Sequence, residues 1–336
     1  MRYLIQYIAG TGDLIVQAIA PFAKSLEVEY RDDSAMIFKS SSHVSVVGSI
    51  PFAKNVFAVI AETSRGDIDK GIIRLGRLLE GAKFPDSLAR GLGFRVMVHV
   101  DGILSRVGER SKASIERAIS SRTGQRVEPR GMCQEYWVVG RQELGKLLLC
   151  VRLPKEKRPP KARGEISYEL SSMLVEASHP TREDVFLDPF AGSGSFILAR
   201  LGSPARKILY SDLELRRFEH EFPRELASGK RAQFRAEDAL SLPSIPDGSV
   251  DVIVTDPPWG EHDKMETPYA EFAQSLAASF RRVLKAPGGR FVILTSRRTA
   301  ILMEHALSGN SLSPDSRHEI LVNGHPATVL IGPKSP

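Results

Sequence analysis

An α/β fold class is predicted for this chain, with a doubly wound, mostly parallel sheet in its C-terminal half behind a smaller α+β region. Three observations carry it. From Glu165 onward, short apolar runs alternate with segments of helical period, the pattern of a parallel sheet covered by helices on both faces. The first of those runs ends in Asp188-Pro189-Phe190-Ala191-Gly192-Ser193-Gly194-Ser195 and turns at once into a helical segment. Before residue 154 the strands and helices are shorter and lack that regular alternation.

In chain order, residues 1–80 predict a small α+β unit, with strands at 4–9 and 35–38 and amphipathic helices at 13–26 and 68–80. Residues 93–100 alternate as a strand. A basic helix is expected over 111–121, then a hairpin of strands 136–139 and 146–153 around the turn 140–145. Residues 154–164 read as a proline-containing basic linker. Beyond it the expected order is helix 165–178, strand 185–188, helix 195–201, strand 208–212, helix 214–227, and strands 233–235 and 250–256. Helix 267–285, strand 290–295, helix 297–308 and strands 318–322 and 327–331 complete it. The last two strands lie too close for a helical crossover, so one of them runs antiparallel.

Charge is unevenly placed along the 336 residues. The net charge is +6. Residues 1–89 hold ten basic and ten acidic side chains, residues 90–152 hold twelve and six, and residues 164–336 alone are net −4. A basic middle and a mildly acidic C-terminal domain suit a protein that grips a polyanion in one place and processes it in another; the alternative is a solvated basic face. The two cysteines, Cys133 and Cys150, form neither a disulfide framework nor a zinc pattern, and the eight histidines have no metal-ligand spacing. No metal is therefore expected. No apolar run reaches the ~18 residues of a membrane span, and the first eight residues do not read as a signal peptide. A reduced, cytoplasmic setting is expected.

Two loops carry the chemistry. At Asp188–Ser195, glycines let the backbone approach a ligand where a Cβ would collide, and the helix that follows starts with free N–H groups. The turn is too short for a phosphate loop and lacks the third glycine of the dinucleotide fingerprint. Asp212 and Asp238 close the next two strands, where ligands of an open α/β sheet sit. An acid ~20 residues past a glycine loop can accept from ribose hydroxyls, and one a strand further on can accept from an adenine amine. The second loop is Asp256-Pro257-Pro258-Trp259, at the end of an apolar strand. Paired prolines hold their neighbours extended, so that carbonyls and side chains project in fixed directions. The exocyclic amine of a nucleobase is a poor nucleophile because its lone pair is delocalised into the ring. Acceptors on both N–H groups favour rehybridisation, and Asp256 with the Pro257 carbonyl is the natural pair. Trp259 can stack on the base, an interaction worth ~1–3 kcal/mol. Positioning and electrostatics then carry most of the catalysis.

At these residues the chain resembles the class I S-adenosylmethionine-dependent methyltransferases that act on nucleobase amines, and the resemblance spans the Rossmann-like region 165–336. It implies cofactor contacts at Asp188, Phe190, Ala191, Gly192 and Gly194, ribose binding by Asp212 and adenine binding by Asp238. It implies target-amine contacts at Asp256 and Pro257 and base stacking at Trp259. Residues 81–153 resemble a THUMP domain, an RNA-binding module, through the Phe94-Arg95-Val96 strand, the basic helix and the closing hairpin through Gly145. Residues 1–80 resemble the ferredoxin-like unit that precedes it. Together these imply an enzyme that forms N2-methylguanosine in RNA, chiefly in the acceptor stem of tRNA, gripping the RNA through residues 90–163. Relatives often carry Arg or Lys just after the aromatic residue and its glycine, whereas here Gly260 is followed by Glu261-His262-Asp263. Methylation of adenine N6 or another exocyclic amine, on ribosomal RNA or DNA, is the alternative. A non-catalytic RNA-binding protein is the reading of a different class.

Overall fold

The computed structural model describes residues 1–85, 93–155, 165–213, 232–261, 265 and 267–333. They fall into two compact units. One comprises Met1–Tyr7 with Ile19–Arg158, the other Ile8–Ala18 with Pro159–Pro336.

The first unit is built on one eight-stranded sheet. Its strands are β1 (Arg2–Gln6), β2 (Glu27–Arg31), β3 (Ala35–Lys39), β4 (Asn55–Ser64), β5 (Phe94–Val100), β6 (Ile103–Leu104), β7 (Gln134–Arg141) and β8 (Lys146–Arg152). The spatial order is β2-β3-β1-β4-β8-β7-β5-β6, antiparallel throughout except for the parallel pair β5–β7. Strands from both sides of the boundary expected at residue 80 thus share a sheet. The ten-residue β4, whose apolar run 56–61 fits either period, provides the join by pairing with β8 from Phe57↔Arg152 to Ser64↔Lys146. The hairpin expected around 140–145 is present as β7–β8.

Helix α1 (Gly12–Ile19) stops well before the expected residue 26, because Pro21 cannot continue the i→i−4 ladder. Helix α2 (Val44–Gly48) was too short to show a period, and the His43 ring caps it by accepting from Ser45 N–H. Helix α3 (Ile68–Leu78) begins where the Asp67 carboxylate accepts from Lys70 N–H at 2.8 Å. Helix α4 (Glu109–Thr123) ends at Gly124 in the left-handed region, φ +71°. Ile72 and Leu75 of α3 and Ile115 and Ile119 of α4 are fully buried, while Arg110, Lys112, Arg117 and Arg122 of α4 face solvent.

The second unit alternates helix and strand, as its sequence predicts. Its elements are α5 (Tyr168–Ala177), β9 (Val185–Asp188), α6 (Ser195–Leu201), β10 (Lys207–Ser211), β11 (Ala232–Arg235), β12 (Val252–Thr255), α7 (Tyr269–Val283), β13 (Arg290–Ser296), α8 (Ala300–Gly309), β14 (Ser316–Val322) and β15 (His325–Gly332). The helix expected at 214–227 lies outside the described residues. The sheet order is β11-β10-β9-β12-β13-β15-β14. Strands β9 to β13 are parallel, and β15 runs antiparallel to both neighbours. The β14–β15 hairpin turns on Asn323-Gly324, both with positive φ, which is the dipeptide that a tight two-residue turn selects. Every residue of β9, β12 and β13 is buried, and each strand has an apolar centre with polar or charged residues only at its ends.

The order reverses between β9 and β12. The chain steps outward from β9 through β10 to β11, then returns to β12 on the other side of β9. Such a switch point opens a crevice beyond the carboxyl ends of the two strands. Beneath the sheet, Asp184, just before β9, accepts two hydrogen bonds from Arg290 Nη2 (2.8 and 2.7 Å) and one from Arg200 Nη2 (3.2 Å). Thr181 completes its shell. These ions are all buried, and the pairing holds the Asp184 carboxyl below its ordinary value despite burial.

Candidate active site

Asp188 and Asp256 close the two strands that flank the switch point. Asp188 is fully buried. Its Oδ1 accepts from Phe190 N–H at 3.2 Å and from the Thr255 hydroxyl at 2.8 Å, while its Oδ2 has no partner among the described residues. Burial, reinforced by the charges of Asp212 and Asp256, pushes its carboxyl up to about 8.

The glycine loop is tied to the next strand. Ala191 N–H donates to Ser211 O at 2.9 Å, and Gly192 N–H donates to Asp212 Oδ2 at 3.0 Å. Gly192 and Gly194 have φ +46° and +83°, conformations that glycine adopts without strain. A Cβ placed on Gly192 would meet no atom within 4 Å, so the space over the loop is open. The ring of Phe190, half-buried, leans toward Phe272 with centroids 6.2 Å apart. Asp238 follows β11, and its Oδ1 accepts from Leu240 N–H at 2.9 Å in a local turn. Open backbone at Gly192 and an unpartnered buried acceptor at Asp188 fit a ligand that brings a cationic or N–H-bearing group to this crevice. An orphaned acceptor costs about 1–3 kcal/mol until such a donor arrives.

On the second loop, Trp259 Nε1 donates to Asp256 Oδ1 at 2.7 Å. Burial pushes the Asp256 carboxyl up to about 7, and this hydrogen bond acts in the opposite direction. Pro257 is buried, and Trp259 is half-buried. The loop is fastened from behind. The Thr299 hydroxyl donates to Trp259 O at 3.2 Å, and the Ser296 hydroxyl donates to Glu261 Oε1. Gly260 has φ +71°, and a Cβ there would lie 2.7 Å from the Tyr269 ring. The Tyr269 hydroxyl is 3.1 Å from Thr295 Oγ1.

Asp188 and Asp256 are therefore brought within electrostatic reach of each other, and Asp212 is bonded to the glycine loop. Asp238 stands at the neighbouring strand end. Sequence reasoning missed Thr255, Tyr269, Thr295, Ser296 and Thr299. One signal was available: Thr295-Ser296 are hydroxyls at the carboxyl end of an otherwise apolar buried strand. His262, Asp263 and Lys264 lie outside the described residues. Among the described residues, no group of His, Cys, Asp and Glu could hold a metal ion, and no helix is long and apolar enough to cross a membrane.

Residues 155–203 and 223–327 match the family model of the RMKL-like methyltransferase domain, UPF0020. Solved structures match over nearly the whole chain. TrmN from Thermus thermophilus is 23% identical with a TM-score of 0.71, covering 98% of this chain and 99% of that one. The protein SMU.472 in complex with S-adenosylhomocysteine (SAH) is 11% identical with a TM-score of 0.64, covering 100% and 99%. A predicted N6-adenine-specific DNA methylase from Listeria monocytogenes is 14% identical with a TM-score of 0.62, covering 99% and 96%. No curated protein matches the chain in sequence.

Proposed function

We propose that the chain, whose residues 155–203 and 223–327 match the RMKL-like methyltransferase domain, uses S-adenosylmethionine to methylate an exocyclic amine of a nucleobase in RNA, namely N2 of guanosine in the acceptor stem of tRNA. The observation that carries the reading is the place of Asp256-Pro257. This acceptor pair sits at the end of β12, across the switch point from the glycine loop at the end of β9. Bound there, the cofactor supplies an electrophilic methyl group. Asp188, Phe190, Ala191, Gly192 and Gly194 would contact it, with Asp212 at its ribose and Asp238 at its adenine.

The chain's own work is binding and orientation. Asp256 and the Pro257 carbonyl each accept one N–H of the target amine, drawing its lone pair out of the ring. Trp259 covers the base, which must leave its stack at a cost of a few kcal/mol. The new N–C bond would form as the methyl–sulfur bond breaks, leaving S-adenosylhomocysteine; the alkylated nitrogen is then acidic, and Asp256, at about 7, would take its proton. Residues 90–163, within the THUMP-like region and the basic linker, grip the RNA. The exposed cations of α4 support this, as does the location of the excess positive charge. The expected setting is the cytoplasm.

The name of the Listeria relative favours a second reading, methylation of adenine N6 in DNA. Transfer of radiolabelled methyl from S-adenosylmethionine to unmodified tRNA and to duplex DNA separates the two. Label in tRNA alone is the expected result; label in DNA alone would replace the proposal with the second reading.

A further inference from the structure

We propose that Trp259 is a positioning residue as well as a stacking platform: its indole N–H, bonded to Asp256 Oδ1, fixes the carboxylate so that only the other oxygen meets the incoming amine. The inference rests on the reading of Asp256 as the amine's acceptor. Stacking alone would be served by any aromatic side chain, since every base offers a π-face. What distinguishes tryptophan is a ring N–H that can only donate. Here that N–H lies 2.7 Å from Asp256 Oδ1, the length of a strong bond to a carboxylate.

The contact is built into the loop. Pro257 and Pro258 stiffen the two intervening positions, so the side chains at 256 and 259 meet at a fixed offset. The backbone of Trp259 is held at its carbonyl by Thr299, and the next residue, Gly260, is pressed against Tyr269. The titratable groups facing Asp256 are Asp188, from β9, and Tyr269, from α7. The charge of Asp256 helps to hold the Asp188 carboxyl above its ordinary value. The indole N–H is the hydrogen bond that favours the ionised carboxylate of Asp256. One carboxylate oxygen is thus occupied by the indole, and one remains for the amine beside the Pro257 carbonyl. Two acceptors then match the two N–H groups of a primary exocyclic amine.

The test is a carbon-detected NMR titration of the Asp256 carboxyl in the full-length, ligand-free protein, assigned with Asp256→Asn. Trp259→Phe keeps an aromatic ring but removes the donor. Replacing Trp259 by β-(3-benzothienyl)alanine keeps the ring shape and puts sulfur in place of N–H, which guards against a packing defect. Both should raise the titration midpoint by about one to two units, the equivalent of one charge-assisted hydrogen bond. The acid limb of kcat/KM against pH should move by the same amount, so that activity lost near neutrality returns in alkali. An unchanged midpoint in the benzothienyl protein would overturn the proposal, whatever the change in turnover. A shifted midpoint in a protein that methylates no nucleobase amine would leave the clamp standing and defeat the functional reading instead.

Discussion

In the proposed reaction, Asp256 is the residue on which the chemistry turns. Asp256→Ala should lower kcat by about 10²- to 10³-fold, the usual cost of removing one preorganised electrostatic interaction. The mutant should retain S-adenosylmethionine affinity within a few-fold by calorimetry, because the residues proposed to bind the cofactor lie on the other loop. The carboxylate accepts from the amine only when ionised. With its value near 7 in the ligand-free protein, kcat/KM should fall as pH drops below neutrality and level off above it. A profile flat between pH 5 and 9 would show that this carboxyl does not set the rate. At this scale the sequence was informative where residue identity dictates chemistry: an acid, two prolines and an indole in a row have few other uses. It was silent on Asp256 bonding to Trp259, and on Asp188 keeping an unpartnered oxygen. Both depend on which rotamers the packed loop allows.

At the scale of elements, the strand ends hold the site only because the loops are fastened. Gly260→Ala places a methyl group 2.7 Å from the Tyr269 ring on a backbone that disfavours side chains. It should cut turnover more than tenfold while the urea unfolding midpoint moves little, since the strain falls on a partly exposed loop. Arg290→Met strips one buried cation from Asp184 and should cost about 3–5 kcal/mol in denaturant unfolding. Asp184 has a folded-state value below its unfolded one. Its contribution is therefore present above the unfolded carboxylate value of ~3.9 and is lost as pH falls through the folded value, so the wild-type protein should lose this stabilisation in acid. The alternating elements of the second unit were legible because buried parallel strands and amphipathic helices have distinct periods. β2, β4 and α2 were not. β2 is Glu-Val-Glu-Tyr-Arg, an edge strand with mostly exposed side chains; β4 runs apolar and then polar without alternation; α2 is barely one turn. Each owes its form to pairing or packing with distant residues. The short α1 was misjudged because its apolar spacing outweighed Pro21.

For the molecule as a whole, the account divides gripping from chemistry. Reversing Lys112 and Arg117, both exposed on α4, should raise KM for RNA and flatten its salt dependence, since each phosphate that is no longer neutralised takes ~0.7–0.9 off the slope of log affinity against log salt. The kcat at saturating RNA should stay near wild type. A fall in kcat with KM unchanged would place these cations elsewhere in the reaction. The location of charge was readable from sequence because it is a sum over residues. The single sheet running through residues 1–153 was not, because it depends on β4 meeting β8 across more than eighty intervening positions.

The central claim is that the Asp256-Pro257 pocket methylates a guanine amine in RNA. Its most direct test is nucleoside mass spectrometry of unmodified tRNA incubated with the purified protein and isotopically labelled S-adenosylmethionine. The expected result is labelled N2-methylguanosine with the wild-type protein and about 10²- to 10³-fold slower formation with Asp256→Ala. Labelled N6-methyladenosine in its place, or N2-methylguanosine made equally by both proteins, would contradict it.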